Sequence, residues 1–579
     1  MDLLEIGMIG IVAIVAVNWI APRIGVAAPL LLVLLGIVTS FLPFVAPIEI
    51  QPEWILGGIL PPLLYSSAVN MPAMDFRRDL RTISAFSVLL VIGSAVVIGL
   101  VMTRLIPGVD LATGIALGAI LSPTDAVATS IVKRAGVSPR LVTVLEGESL
   151  LNDASALVLL RSATATTALL TGMVIVDFIW AVVAAVLIGF VVGKITLIVR
   201  SHLGSSTSNV AISLVVPFLA YLPAESLGAS GLVAAVAAGL VTGHGSPQRL
   251  RPQDRLTASA VWRTLEMLLE NAIFLLMGLE LFGLVADVRS EHGSVLTAIQ
   301  LGALAALLVV CIRTVFVAPS VWLLARRARR STAVRERIEQ IQHRLRIDVG
   351  RPSEQPKVLM APKVRKVAAR RKQPISTELN RRLADLDYLA AEALGWREGV
   401  VLVWAGMRGA VTLAAAQSLP PDTPQRSLLV LVAFVVAAGT LIIQGGTLGW
   451  LVGRLGLTGR DPAANRASAD ELRQELVGLV GEHLAEPRFS RPDGTAFSPD
   501  TLDWARRVMS SMTADQEQRD AQGEDLRTER GELRRAVIEI QRTELLKIRD
   551  LGTYPSSVLE DALTQLDADQ LSLELRAPA

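Results

Sequence analysis

The 579-residue chain has one cysteine, five histidines and almost no net charge, +2 at neutral pH. Each scarcity removes a class of protein. A single thiol, Cys311, permits no intrachain disulfide, so a disulfide-stapled secreted scaffold is excluded and Cys311 reads as a packing residue. The histidines at 202, 244, 292, 343 and 483 fall in loops, in the tail or at the ends of apolar runs, and they form no cluster for transition-metal chemistry. So small a net charge offers little attraction to phosphate, which argues against a nucleic-acid partner. No Ser-His-Asp set, metal-binding helix or nucleotide loop accompanies the acidic residues, which argues against an enzyme. What the chain has in abundance is apolar residues, 52% of the total, with a mean hydropathy of +0.50. An apolar run of about 20 residues spans a bilayer, and such runs recur along most of the length. The first, from Met8 to Ala21, lacks a basic start and is followed by more, so it reads as a membrane helix rather than a cleaved leader.

Composition divides the chain. Residues 1–325 are a near-continuous series of apolar segments, and two more occupy 395–456. Between them, 326–392 is basic, with 18 Lys+Arg against 8 Asp+Glu. The segment 461–579 is a soluble tail with 15 Lys+Arg and 24 Asp+Glu. Within it, Glu524–Gly552 has helical character, with a rough apolar stripe of Leu533, Val537, Ile540, Leu545 and Ile548. The reading is a membrane domain over 1–456, with the basic loop 326–394 inserted before its last two spans, and an α-rich cytoplasmic tail over 457–579.

About 13 membrane spans are expected, near 3–20, 25–44, 53–70, 83–106, 111–134, 142–171, 174–200, 208–222, 226–243, 260–286, 295–325, 395–418 and 427–454. With the N-terminus outside, the short inner turns hold Arg23, Arg77, Arg78, Arg81, Lys133, Arg134, Arg140, Lys194, Arg200, Arg249, Arg251, Arg255 and Arg263. The outer turns hold only Arg104, Arg289 and Arg426, as the positive-inside rule expects. Thirteen divides as six, one linker and six, the arithmetic of two inverted repeats. Spans 5 and 12 then correspond, and both are interrupted, by Ser122-Pro123-Thr124-Asp125 and by Gly406-Met407-Arg408-Gly409. Proline removes a helix hydrogen bond and glycine weakens a helix. Broken helices at matching places in two halves point to a midplane binding site.

Ionisable residues inside spans are costly and are functional candidates by default. The densest group is Glu146-Gly147-Glu148-Ser149-Leu150-Leu151-Asn152-Asp153 in span 6. Helical spacing stacks Glu148 on Asn152 and Ser149 on Asp153. These are hard oxygen donors with no thiol or imidazole beside them, which suits Na⁺, K⁺ or Li⁺. Desolvation disfavours a charged carboxylate, so a buried one takes either a proton or a cation but not both. Asp153 is the candidate carrier, Ser149 a neutral ligand, and the break around Thr124 a source of carbonyl and hydroxyl oxygens. The bland alternative for Glu148 is a structural ion pair. Arg408, in the second break, is the partner expected for it, since its planar fork suits a carboxylate. Asp125 is expected to cap a half-helix. Glu270 and Arg313 are a second candidate pair, and Arg161 is expected to reach the outer interface.

These segments resemble the monovalent cation:proton antiporter-1 family, the sodium/proton exchangers of the NhaP type. The resemblance rests on Ser122–Ala128, Glu146–Asp153, Leu60-Pro61-Pro62-Leu63-Leu64-Tyr65, Asn271–Leu279 and Gly406–Val411, and it covers residues 1–456. It implies a homodimer embedded in membrane lipid, with a six-helix ion-binding core beside a dimerisation part. It implies cation or proton binding at Asp153 with Ser149 and Thr124, support of the helix crossing by Asn152, and a buried Glu148–Arg408 pair. It implies Na⁺ (or K⁺ or Li⁺) and H⁺ as cargo, no cofactor, and a place in the plasma (inner) membrane. One position departs: many bacterial members carry an acidic residue directly after the Leu-Pro-Pro-Leu-Leu-Tyr segment, and this chain has Ser66. A K⁺/H⁺ antiporter with the same site is the runner-up, and a gated cation channel the distant one. Asn152 does not titrate, so one carboxylate changes partner per cycle and exchange is expected to be one for one.

Overall fold

A computed structural model describes residues 3–42, 51–164, 174–291, 293–349, 375–458, 462–485, 489–491, 495–510 and 524–576. His292, the outer end of the expected sixth span (165–171) and the middle of the basic loop (350–374) lie outside the described residues. Among the described residues every regular element is helical. Contacts divide the chain into two units: residues 1–250, 257–326 and 392–460, and residues 251–256, 327–391 and 461–579.

In the first unit the helices run α1 (Leu3–Ile24), α2 (Ala28–Ser40), α3 (Leu60–Asn70), α4 (Ala73–Ser84), α5 (Leu90–Leu105), α6 (Leu111–Ile120), α7 (Val127–Arg134), α8 (Pro139–Thr164), α9 (Val174–Ser201), α10 (Ser206–Ser226) and α11 (Gly231–Arg249). They continue with α12 (Pro252–Leu279), α13 (Leu281–Ser290) and α14 (Val295–Val349). After α15 (Ile375–Ala391), which belongs to the second unit, come α16 (Trp396–Trp404), α17 (Ala410–Gln417), α18 (Arg426–Thr440) and α19 (Gly446–Arg454). The first turn of α12 and the far end of α14 also fall in the second unit. π-helical turns join α4 to α5 and α18 to α19, so each pair forms one long rod.

Seven helical stretches among the described residues are long and apolar enough to cross a membrane: 7–24, 73–105, 176–201, 206–226, 252–290, 295–326 and 426–454. The protein is therefore a multi-pass membrane protein. The other apolar helices differ for physical reasons. Polar breaks cut α6 from α7 and α16 from α17, and α8 carries three carboxylates and two arginines. The lipid-compatible surface is visible in α9, where Ile179, Val183, Leu187 and Phe190 are exposed while Ala181, Ala184 and Ala185 are buried. Cys311 is exposed on α14, a correction to its expected packing role, because α14 turns only one face inward. The expected span near 83–106 begins ten residues earlier, at Ala73. Its charged lead-in is helical because Asp79 is buried against Arg140 of α8, at 2.8 Å.

In the second unit, α20 (Pro462–Leu484), α21 (Pro499–Ser510) and α22 (Glu524–Leu551) pack around Val480, Leu484, Phe497, Trp504, Leu533 and Val537, and α23 (Ser556–Arg576) packs against α22 and α20. Leu533 and Val537 belong to the apolar stripe expected on α22. Polar clasps surround this core. Glu529 accepts from the Ser498 hydroxyl at 3.0 Å, and Asp567 accepts from Arg255 and from Arg542, the latter at 2.8 Å.

Candidate cation and proton site

Two interrupted helices build the site. α6 stops after Ile120, and Pro123 keeps the chain from resuming at once: it has no N–H to donate and it disfavours helical geometry at Ser122. The chain recovers at α7, where Asp125 Oδ1 accepts from the Val127 N–H at 2.8 Å, the capping role expected of it. α16 stops at Trp404, and α17 begins at Ala410. Two glycines make this second break possible. A Cβ on Gly406 would run into the Arg313 side chain, and one on Gly409 would collide with the Asp125 carboxylate. The breaks cross each other: the Asp125 N–H donates to the Met407 carbonyl at 3.0 Å. α18 holds the crossing from behind, its Thr440 Oγ1 accepting from the Arg408 N–H at 2.9 Å.

α8 runs unbroken past this crossing and presents its polar face to it. Ser149 Oγ donates to the Thr124 carbonyl at 3.0 Å. Asn152 Nδ2 donates to the Ser122 carbonyl at 3.0 Å and reaches Thr124 Oγ1 at 3.4 Å. The amide thus satisfies backbone that the proline break sets free. Asp153 is 4% exposed, and its Oδ1 has no hydrogen-bond partner in the protein. Asn152 Oδ1 is open in the same way. Asp125 and Arg408 both act on Asp153 electrostatically. The structure therefore brings Thr124, Asp125, Ser149, Asn152, Asp153 and Arg408 to one place.

The Glu148 partner is different from the one expected. Glu148 is 1% exposed, and both its oxygens accept from Arg313 of α14, at 2.5 and 2.8 Å. Arg313 Nε also donates to the Leu402 carbonyl at 2.8 Å. Two pairings are corrected by this, Glu148 with Arg408 and Glu270 with Arg313. The reason is inter-helix register: α14 passes over Gly406, and only the missing side chain there lets the guanidinium reach across. Arg408 Nε and Nη1 are left without hydrogen-bond partners.

A model of the sodium/hydrogen exchanger transmembrane family matches residues 9–347 and 373–454. The chain belongs to this family. It is accordingly a transporter and not an enzyme, a cation/proton exchanger that needs no cofactor because Na⁺ and H⁺ are its cargo. An uncharacterized Na⁺/H⁺ exchanger of Mycobacterium tuberculosis is 28% identical over 99% of this chain and 97% of its own length. The low-affinity Na⁺/H⁺ antiporter NhaS1 of Synechocystis is 27% identical over 79% of this chain and 73% of its own. Among solved structures, the sodium proton antiporter MjNhaP1 of Methanocaldococcus jannaschii has the same fold, with a TM-score of 0.52 over 78% of this chain and 99% of that one, at 15% identity.

Further charged groups of the exchanger surround the site. Ser66, where an acidic residue was missed, donates to Glu266 Oε2 of α12 at 3.1 Å. Glu270, one turn on, interacts electrostatically with Asp125 and Glu266. Glu266 escaped the sequence reading; the signal was there, two glutamates four apart on one face of an apolar helix. Glu146 pairs with Lys133 at 3.5 Å; away from the crossing, two turns along α8 from Asp153, the exposed Arg161 pairs with Glu225 at 2.7 Å.

Proposed function

We propose that the exchanger carries one monovalent cation, Na⁺ in preference to K⁺ or Li⁺, against one proton, and that Asp153 is the group on which they alternate. The observation that carries this is the open carboxylate of Asp153, buried beside the crossing of the two breaks. A desolvated carboxylate must be neutralised, by a proton or by a cation. The hydroxyls of Ser149 and Thr124 lie at the same crossing and supply neutral oxygens, while Asn152 holds the first break in shape. Both oxygens of Glu148 are taken by Arg313, so the carboxylate left to change partner in each cycle is that of Asp153. In the same reading, 13 spans form two inverted six-helix repeats around the crossing, and the charge asymmetry of the turns puts the N-terminus outside and the tail in the cytoplasm. A homodimer in the plasma membrane, serving pH and sodium homeostasis, completes it.

The experiment is exchange in proteoliposomes. Na⁺ is expected to collapse an imposed pH gradient faster than K⁺ or Li⁺, and Asp153→Asn to abolish the response with little change in melting temperature. Wild-type rates in Asp153→Asn would remove Asp153 from the cycle, and a faster response to K⁺ would favour the K⁺/H⁺ reading.

A further inference from the structure

Arg408 is 2% exposed, and two of its guanidinium nitrogens make no hydrogen bond. A buried cation in that state is costly and calls for a partner. Glu148 is not free to serve, because Arg313 takes both its oxygens. The charges acting on Arg408 are Glu148 and Asp153, which attract it, and Arg313, which repels it. Glu148 and Arg313 cancel as a pair, which leaves one positive charge on Arg408 and one negative charge on Asp153. Asp153 also has an unmade bond. The other carboxylates near the crossing are Asp125 on the first break, electrostatically linked to Asp153, and Glu270 on α12, linked to Asp125. Asp125 already accepts from the Val127 N–H. Two opposite charges with open bonds therefore sit on different elements, α8 and the α16–α17 break. The backbone of Arg408 is pinned by Thr440, so any reach toward Asp153 has to be made by the side chain alone.

We propose that Arg408 is a tethered competitor for the transported cation: it neutralises Asp153 when neither proton nor cation is bound, and an arriving cation displaces it. This rests on Asp153 being the carrier. Two consequences oppose each other. A nearby cation favours the ionised carboxylate, so Arg408 helps the proton leave. The same cation occupies the carboxylate that Na⁺ needs, so it weakens apparent Na⁺ affinity by the fraction of sites it holds.

The test is the pH profile and the apparent KM for Na⁺ of exchange in proteoliposomes, for wild type, Arg408→Gln and Arg408→Lys. In Arg408→Gln the profile is expected to move alkaline by about one pH unit. At pH values well above that midpoint its apparent KM is expected to fall at least about threefold. Arg408→Lys keeps the charge and is expected to hold the wild-type profile. Arg408→Met, of similar length without charge, replaces the Gln variant if that one is not recovered folded. A neutral variant with reduced maximal rate but unmoved profile and KM would make Arg408 a structural brace and overturn the proposal. A Lys variant shifted as far as the Gln variant would overturn it too, since charge would not be the cause. Asp153→Asn separates the two readings. If it abolishes exchange while Arg408→Gln shifts nothing, only the competitor role fails; if Asp153→Asn still exchanges, the carrier role fails first.

Discussion

At the scale of single residues, what matters is which buried charge is satisfied and which is open. Glu148 and Arg313 are mutually satisfied by two parallel bonds, an arrangement that suits the planar guanidinium. Asp153 Oδ1 has no such partner, and under the function proposed above that contrast separates a structural carboxylate from the one that exchanges. The pair makes a direct prediction. Arg313→Ala leaves Glu148 buried and uncompensated, a loss of about 3–5 kcal/mol. Glu148→Gln combined with Arg313→Gln is expected to recover part of it. Thermal melting of the purified single and double variants measures the coupling, and strictly additive losses would mean that the two side chains do not interact. The original candidate, Arg408, acts on Glu148 electrostatically but without a hydrogen bond, and is expected to show a smaller coupling with it.

At the scale of elements, the two breaks make a site out of helices that would otherwise be inert spans. Their crossing depends on one close approach, the Asp125 carboxylate against Gly409. Gly409→Ala forces the two breaks apart, and overpacking of this kind costs about 1–3 kcal/mol. Exchange is expected to fall with the melting temperature, and Asp125→Ser in the same chain is expected to restore the melting temperature in part by making room. In the tail, the elements are joined by polar clasps with their own pH dependence. Burial pushes Glu529 up, but bonds from the Ser498 N–H and hydroxyl outweigh it, and the carboxyl is held below its ordinary range. A lowered folded-state value means that the contribution is complete above the unfolded value, about 4.3, and is lost as pH falls through the folded value. Hydrogen exchange at residues 498–501, corrected for intrinsic rate, is expected to show protection at pH 7 that declines in acid. Glu529→Gln is expected to lower the protection at pH 7 and flatten its decline.

At the scale of the whole molecule, the question is whether charge crosses the membrane. Under the function proposed above, Asn152 cannot titrate and Glu148 is held by Arg313, so exchange at Asp153 alone would move one positive charge each way. Each net charge moved would couple about 2.3 kcal/mol per 100 mV. Proteoliposomes clamped with valinomycin at opposite potassium potentials are therefore expected to show the same Na⁺-driven pH change. Rates that depend on the sign of the potential would exclude one-for-one exchange and would direct attention to Asp125 and Glu270 as further proton carriers.

Features that depend on local composition and short spacing could be read from the chain alone. Long apolar runs have no stable state in water, so membrane residence follows from composition alone. Pro123 and the glycines at 406 and 409 marked where two helices could be interrupted, although other prolines such as Pro217 and Pro319 sit inside continuous helices, and the polar face of Ser149, Asn152 and Asp153 follows from helical spacing. The capping role of Asp125 and the apolar stripe of α22 were legible for the same reason. Which distant charges meet became visible only in the folded chain. Arg313 and Arg408 are equally arginine in sequence, and pairing with Glu148 depends on how far α14 slides along the crossing, which no local pattern encodes. The same holds for Glu266 beside Ser66, where a carboxylate from α12 stands next to the position left without one in α3. Ion pairing is settled by where backbones run relative to one another, and that is set by the packing of whole helices.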